Sequence, residues 1–157
     1  MKKILSVLAV LFVAGTVNLF AMGVGAQFGA NPTTNNGTNG AITFKVDSLP
    51  YVFAADAHIG EITEFGLSAD LWLANPKIEK TWGYYYGVGV AGGFRIAENS
   101  SNVTVGARAL IGTNIFLLDK FFEPYLQAAW QPTFVIGKDG GLEPTNMSVN
   151  LGFRFWF

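Results

Sequence analysis

The chain has 157 residues, of which 50% are hydrophobic and only 13% are charged, about half the charged share of an ordinary soluble domain. Ten basic and eleven acidic residues give a net charge of −1, so no basic surface is available for the phosphate backbone of a nucleic acid. The absence of cysteine and the single histidine argue against disulfides, thiol catalysis and Cys/His zinc sites. The length allows one domain, and we expect no cofactor and no bound metal.

The first 21 residues have the pattern of a cleaved secretory signal peptide. A basic start (1–3) precedes an apolar stretch (4–20) that ends at the small residue Ala21. We expect cleavage after Ala21, with Ala26 as the second choice. A membrane-spanning helix is the alternative, because the stretch approaches the lower length limit for crossing a bilayer. The mature domain is then 22–157, which contains no second apolar run long enough to cross as a helix.

From residue 22 onward, apolar residues recur at every second position, which predicts strands and not helices. The last segment is the clearest, since its apolar residues alternate with Ser148, Asn150 and Arg154. Pro132 lies inside the seventh segment and leaves its register open, because proline has no N–H to donate. The eight predicted strands are 22–30, 41–47, 51–60, 65–73, 82–96, 103–117, 124–137 and 147–157.

The two faces of these strands indicate a barrel that is apolar outside and polar inside. Opposite the apolar face most residues are Gly, Ser, Thr or Asn, and not the Lys, Glu and Asp of a soluble sandwich. Apolar side chains that face lipid would explain this pattern, and closure would satisfy every backbone hydrogen bond. We expect an all-β fold, an eight-stranded antiparallel up-and-down transmembrane β-barrel over 22–157. The alternative is a β-sandwich with core aromatics.

Aromatic residues near one end of the strands predict an interfacial girdle there. An even number of strands returns both termini to one side, which we expect to be the periplasm. The girdle residues are Tyr51, Trp82, Tyr84, Phe153, Phe155 and Phe157. The segments expected to face outward are 31–40, 61–64, 97–102 and 138–146, and those expected to face the periplasm are 48–50, 74–81 and 118–123.

The C-terminal residues Leu151, Phe153, Phe155 and Phe157 resemble the terminal signature of bacterial outer-membrane barrels. This resemblance implies recognition by the barrel-assembly machinery. With the leader and the strand count, the mature chain resembles the small OmpA/OmpX-like barrels, which implies the outer membrane of a diderm bacterium. The Ser-Leu-Pro break, the Ala-Asp-Leu-Trp-Leu strand at 69–73 and the Phe-Glu-Pro-Tyr turn at 122–125 also resemble uncharacterised spirochaetal small barrels.

Two sequence patterns could carry chemistry, and we expect that neither does. Residues 87–92 match the dinucleotide fingerprint G-x-G-x-x-G, but no helix follows them. His58 is the only histidine, so a Ser/His/Asp arrangement would need it, with Ser68 or Ser148 as nucleophile. The catalytic alternative stays open, because some outer-membrane barrels are enzymes that modify lipid A. We expect His58 to be a hydrogen-bonding group of the lumen or its rim and the protein not to be an enzyme.

Charged residues on the non-lipid face are expected to pair inside the narrow lumen. Arg108 is predicted to pair with Asp56 or another acid at its height, and Arg154 with Asp70 or Glu123. A structural plug is favoured over a conducting path. The predicted charge network consists of Lys45, Asp47, Asp56, Asp70, Arg95, Arg108 and Arg154.

These features predict a monomeric barrel that contacts outer-membrane lipid and has a structural or surface-interaction role through short extracellular loops. An extracellular or host ligand is compatible with this hypothesis, but the sequence does not identify such a ligand. The first alternative is a narrow pore or a path for hydrophobic solutes. The second is a lipid-modifying enzyme.

Overall fold

The computed structural model describes residues 21–33, 37–60, 62–97, 100–137 and 140–157. The predicted signal peptide, apart from Ala21, lies outside the described residues. The described chain is built from ten β-segments, and it contains no helix of the length and hydropathy needed to cross a membrane. The segments are β1 (Met22–Asn31), β2 (Gly37–Val46), β3 (Tyr51–Gly60), β4 (Thr63–Ala74), β5 (Trp82–Ala97), β6 (Ser100–Ile115), β7 (Phe122–Trp130), β8 (Thr133–Ile136), β9 (Gly141–Glu143) and β10 (Met147–Trp156).

The segments close into an eight-stranded antiparallel barrel. β7 and β8 both pair with β6 and form the seventh barrel strand, while β9 and β10 form the eighth. Pro132 separates β7 from β8 because it has no N–H for the ladder, and the Gln131 amide donates to the Asn146 carbonyl across the break at 2.8 Å. Antiparallel pairing of β1 with β10 closes the barrel.

The strands are staggered around the barrel. Starting at Gln27 of β1, the residues paired on each next strand can be followed through β2, β3 and β4 to Gly93 of β5. Followed the other way, through β10, β7 and β6, the paired residues end at Gly83 of β5. The two end points lie ten residues apart on the same strand, and this offset is the stagger of the barrel. An eight-stranded barrel with this stagger has strands tilted by about 40°.

The alternation predicted from the sequence is present on every barrel strand. Large apolar side chains point outward, as Phe28, Ile42 and Leu151 do with 64%, 67% and 65% of their surface exposed. The lumen contains polar residues such as Thr43 and Asn150, which are buried. It also contains a buried cluster made of Val52, Trp72, Tyr85, Leu110, Tyr125 and Ala129. The fold is therefore inverted with respect to a soluble sandwich, which answers the alternative left open above.

We call the two ends of the barrel the terminus end and the loop end. The terminus end carries Ala21 and Phe157 with the turns at 47–50, 75–81 and 116–121, and the loop end carries the other strand connections. At the loop end the structure corrects all four predicted loops: 37–40 belong to β2, 63–64 to β4, 100–102 to β6 and 141–143 to β9. These residues complete antiparallel ladders with neighbouring strands, and that pairing overrides their turn-like composition.

Aromatic rings cluster at the terminus end, on the outer surface. Phe121 packs against Phe155 at 5.4 Å and Phe157 at 5.9 Å between ring centroids. Phe122 contacts Phe155 at 5.3 Å, and Trp82 donates its Nε1–H to Thr113 Oγ1 at 2.7 Å. Trp82 suits an apolar–aqueous interface, because its ring combines apolar area with a polar N–H, and the phenylalanine rings add apolar area beside it.

Candidate functional site in the lumen

Six of the seven charged residues predicted for the lumen lie there, and Asp47 does not. β2 ends at Val46, so Asp47 falls in the following turn, where it is exposed. Its backbone amide donates to the Ala21 carbonyl at 2.9 Å, which holds the turn against the start of β1. The alternation that placed Asp47 inside stops where the strand stops.

The terminus half of the lumen is centred on an ion pair. Arg154 Nη1 lies 3.2 Å from Glu123 Oε2, and the two side chains are 1% and 0% exposed. The same carboxylate accepts hydrogen bonds from Trp156 Nε1 at 2.9 Å and from Asn114 Nδ2 at 2.7 Å. These extra donors matter because a buried ion pair is stable only when its remaining lone pairs are satisfied.

Aromatic side chains fill the space around this ion pair. Trp72 and Tyr85 stack with their ring centroids 3.9 Å apart. The Arg154 guanidinium carbon lies 4.1 Å from the centroid of the Tyr125 ring, in a cation–π contact. Lys45 Nζ lies 5.1 Å from the Trp72 ring and donates to the Leu49 carbonyl at 3.2 Å. We call this group the luminal plug: Lys45, Trp72, Tyr85, Glu123, Tyr125 and Arg154.

At mid-height, Arg108 pairs with Asp70 and not with Asp56, which was its first predicted partner. Arg108 Nε lies 2.9 Å from Asp70 Oδ1, and Nη1 donates to Gln131 Oε1. Asp70 and Arg108 both pair with Gly89 in the register, so only a glycine stands between them. Asp56 pairs with Gly66, and Gly66 pairs with Gly93 of β5. Gly93 lies four residues nearer the loop end than Gly89, so Asp56 is at a different level from Arg108.

A third charge cluster lies toward the loop end. Arg95 Nη2 is 3.0 Å from Glu64 Oε2, and Nη1 is 2.6 Å from Glu143 Oε1. Thr104 Oγ1 donates to the other Glu64 oxygen at 2.6 Å. Arg95 therefore ties β5 to β4 and to β9, which is not its neighbour in the barrel.

Glu64 and Glu143 were missed as members of the charge network. Glu64 continues the inward alternation of Gly66 and Ser68, so extending the fourth strand by two residues would have found it. Glu143 gave no such signal, because the break at 144–146 separates its short segment from the periodic part of β10.

A polar cavity of about 60 Å³ lies between the luminal plug and the loop end. Its wall includes Asp56, His58, Ser68 and Ser148, the residues considered for catalysis. The imidazole is 4% exposed, and neither of its nitrogens has a hydrogen-bond partner in the described part of the chain. The cavity therefore brings these residues together without a Ser–His hydrogen bond, which general-base activation of a serine requires.

Neither a nucleotide fingerprint nor a metal centre emerges from the described residues. Residues 87–92 lie within β5, a strand that leads into β6 and not into a helix N-terminus. No group of three or more His, Asp or Glu side chains in the described ranges is arranged to hold a metal ion.

Fold and lumen together define a class: small eight-stranded antiparallel barrels with an apolar outer surface and a polar, largely filled interior. Solved structures that share the fold include the two that follow. The N-terminal β-barrel domain of Pseudomonas aeruginosa OprF matches with a TM-score of 0.57 and 15% identity, over 87% of this chain and 97% of that one. Neisserial surface protein A matches with a TM-score of 0.62 and 13% identity, over 88% and 97%.

No protein-family model matches the chain, and no curated protein sequence matches it. At 13% and 15% identity, the two structural likenesses establish the fold alone. Neither concerns a spirochaete, so the resemblance to spirochaetal barrels stays a prediction.

Proposed function

We propose that the chain is an outer-membrane β-barrel protein with a sealed lumen, which acts as a structural element or as a partner in surface interactions. Insertion into lipid is supported by the outward apolar side chains and by closure of the sheet, in which β1 pairs with β10 along eight residues of each strand. The outer membrane is supported by OprF and Neisserial surface protein A, outer-membrane barrels of the same fold. The alternate apolar residues at the C-terminus support it as well.

The observation that carries the proposal is the luminal plug. Tyr85, Glu123, Tyr125 and Arg154 are each no more than 2% exposed, and they fill the terminus half of the lumen. An eight-stranded barrel is just wide enough for side chains to fill its interior. A protein with a filled lumen acts through its outer surfaces. At the loop end, at most five residues separate adjacent strands, so a partner that binds there has only a small contact area.

Conductance in planar lipid bilayers tests the sealed lumen against the pore hypothesis. The wild-type barrel is expected to give no discrete current steps. Replacing Tyr85 and Tyr125 with Ala removes two rings of the luminal plug and is expected to admit ions. The matched control replaces Tyr84 and Tyr86, which face outward on the same strand as Tyr85. Regular steps from the wild-type barrel would refute the sealed lumen and favour the narrow pore.

The orientation of the barrel is a separate part of the proposal. With periplasmic termini, an epitope placed between Thr33 and Gly37 binds antibody on intact cells, while one placed in the turn at 78–80 binds only after the outer membrane is opened. The reverse pattern would place the terminus end outside. We also propose that the barrel-assembly machinery inserts the protein into the membrane. The inserted barrel is a monomer.

A further inference from the structure

The apolar outer surface is much taller on one side of the barrel than on the other. On β5, the outward positions run from Trp82 to Ile96, both exposed, and none of them carries a charge. These fourteen residues span about 35 Å along the barrel axis, for a rise of about 3.3 Å per residue and a tilt of about 40°. On β2, the outward apolar side chains extend only from Val46 to Ile42, which is about 10 Å. Since the apolar band of a transmembrane barrel is about 25 Å tall, β5 exceeds it and β2 falls short of it.

The additional height of β5 lies at the loop end and continues onto β6, β8 and β9. Phe94 pairs with Val103, and Val103 pairs with Ile136. Phe134 of β8 pairs with Leu142 of β9. All five side chains are exposed, so they form one apolar surface on the outside of the barrel. We call this surface the loop-end apolar face: Phe94, Ile96, Val103, Phe134, Ile136 and Leu142.

The stagger of the barrel places this face well above the ends of β1 and β2. A row of paired residues rises toward the loop end in the direction from β1 to β8, because from Gln27 it ends ten residues nearer the loop end in this direction than in the other. Ten residues of stagger over eight strands amount to about 3 Å of height for each strand.

One row joins the short side of the barrel to the tall side. It starts at Gly40 of β2 and reaches Ile136 of β8 five strands later, about 15 Å nearer the loop end. The residues between them are Ala57, Phe65, Phe94 and Val103. Thr38, the next outward position beyond Gly40, is exposed. Ile136 is therefore still about 10 Å nearer the loop end than Thr38.

Lipid acyl chains are the partner that the loop-end apolar face fits. The face continues without a polar border into the outward side chains below it, because Phe134 pairs with the exposed Val105 and Val90 is exposed on β5. The sequences of β5, β6 and β8 contain two charged residues, Arg95 and Arg108, and both form ion pairs inside the lumen. A protein interface has a polar rim, whereas this face is the upper part of the lipid-facing surface.

We propose that the loop-end apolar face is a contact surface for lipid acyl chains, so that the membrane is thicker beside β5, β6 and β8 than beside β1 and β2. This inference rests on the membrane-inserted barrel proposed above. A bilayer adapts to unequal apolar heights by thickening along the taller side and thinning along the shorter one, at a modest cost for each ångström. The membrane surface at the loop end then slopes around the barrel.

The test uses nitroxide labels on single-cysteine variants of the whole barrel, which has no cysteine of its own, in vesicles of dioleoyl phosphatidylcholine. At Ile136→Cys, dissolved oxygen is expected to reach the label and a water-soluble nickel chelate is not. The reverse is expected at Thr38→Cys, so the oxygen-to-nickel accessibility ratio should be several times higher at position 136. A level membrane that covers position 136 would also cover position 38, because Thr38 lies further from the loop end.

Leu151→Cys, in the middle of the outer surface, separates this inference from the proposed function. A label at position 151 that faces water would refute insertion itself. With position 151 in lipid, equal ratios at positions 136 and 38, or a higher ratio at 38, would refute the sloping membrane alone. A label at 136 that neither reagent reaches would show a protein contact, such as a second copy, and would also refute it.

A rigid tilt of the whole barrel is tested with Ile115→Cys, which lies near the terminus end of β6. The proposal requires this label to be in lipid together with the label at position 136, because the tall side spans both. A tilted barrel in a membrane of even thickness would bring position 115 into water, and that result would refute the proposal. If a variant does not fold, as judged by heat modifiability on gels, Phe134→Cys replaces Ile136→Cys and Ala30→Cys replaces Thr38→Cys.

Discussion

Inside this lumen, large rings are accommodated by glycines on the neighbouring strands. Tyr85 pairs with Gly112 in the register, and Tyr125 pairs with Gly152. Each ring lies over its glycine so closely that a β-carbon at that position would collide with the ring carbon Cζ. The aromatic part of the luminal plug therefore depends on two residues with no side chain.

Gly112→Ala is expected to destabilise the barrel by about 1–3 kcal/mol, because an added methyl group overpacks the lumen against Tyr85. Urea unfolding in lipid vesicles, followed by tryptophan fluorescence, measures the loss. Gly92→Ala is the control, since Gly92 is exposed and its new methyl group would have the Thr104 carbonyl oxygen, 3.5 Å away, as its nearest neighbour. Equal unfolding midpoints for the two variants would contradict the tight fit at Gly112.

Arg154→Leu is expected to cost about 3–5 kcal/mol, because it leaves Glu123 buried without its cation. Adding Glu123→Leu should recover part of the loss, since the double variant buries no unpaired charge. A double-mutant cycle from the same unfolding experiment gives the coupling energy. Lys80→Leu, in an exposed turn, controls for the loss of a positive charge. Strictly additive effects of the two lumen changes would show that the ion pair contributes nothing of its own.

At the scale of strands, period-two alternation was sufficient to place the barrel strands and the faces of their side chains. It was insufficient where pairing depends on the backbone. Pro132 divides the seventh strand because of a missing N–H, and the eighth strand divides beside it at 144–146. Residues 37–40 have the composition of a loop in the sequence, but in the structure they pair with β1 and β3. Local composition does not contain that information.

Along β10, two neighbouring residues face opposite sides of the barrel wall, one the outer surface and the other the lumen. Leu151 is 65% exposed and Asn150 is 2% exposed. Leu151→Arg is expected to reduce insertion into lipid vesicles more than Asn150→Arg, because a cation facing lipid at the middle of a bilayer costs about 2–4 kcal/mol in barrels. The fraction of folded, heat-modifiable protein after refolding gives the comparison. Equal insertion of both variants would mean that this outer face does not contact lipid.

For the whole molecule, stagger explains why Asp56, the first partner predicted for Arg108, was wrong, while Glu123, one of the two partners predicted for Arg154, was right. Depths counted from strand ends placed Arg108 beside Asp56, but tilted strands shift the level at every step around the barrel. Asp70 reaches Arg108 across Gly89, and Asp56 lies in the cavity wall with no ion pair to any residue that the structure describes. Arg154 and Glu123 face each other on adjacent strands, so their pairing needed no knowledge of the tilt. Strand number alone does not fix the stagger.

Phe157 closes the backbone at the terminus end. Its amide donates to the Met22 carbonyl and its carbonyl accepts from the Met22 amide, each at 3.0 Å, while its ring is 75% exposed. Deleting Phe157 should reduce the amount of folded barrel in the outer membrane while export continues, because a terminal hydrogen-bonded pair and the last aromatic residue are lost together. Phe157→Tyr, which keeps the backbone and an aromatic ring, should assemble normally. Normal amounts of the deleted form in the outer membrane would contradict this role.

Pairing of β1 with β10 also has a kinetic consequence. The other barrel-strand neighbours are consecutive along the chain, but this pairing joins Gly23 to Trp156 and Ala26 to Phe153, which lie on the first and last strands of the barrel. Contacts between distant residues form late, because the entropy of closing the intervening chain is lost before they contribute. Folding should therefore pass through an open curved sheet whose first and last strands are unpaired, and the rate at which they meet should limit the appearance of the native protein.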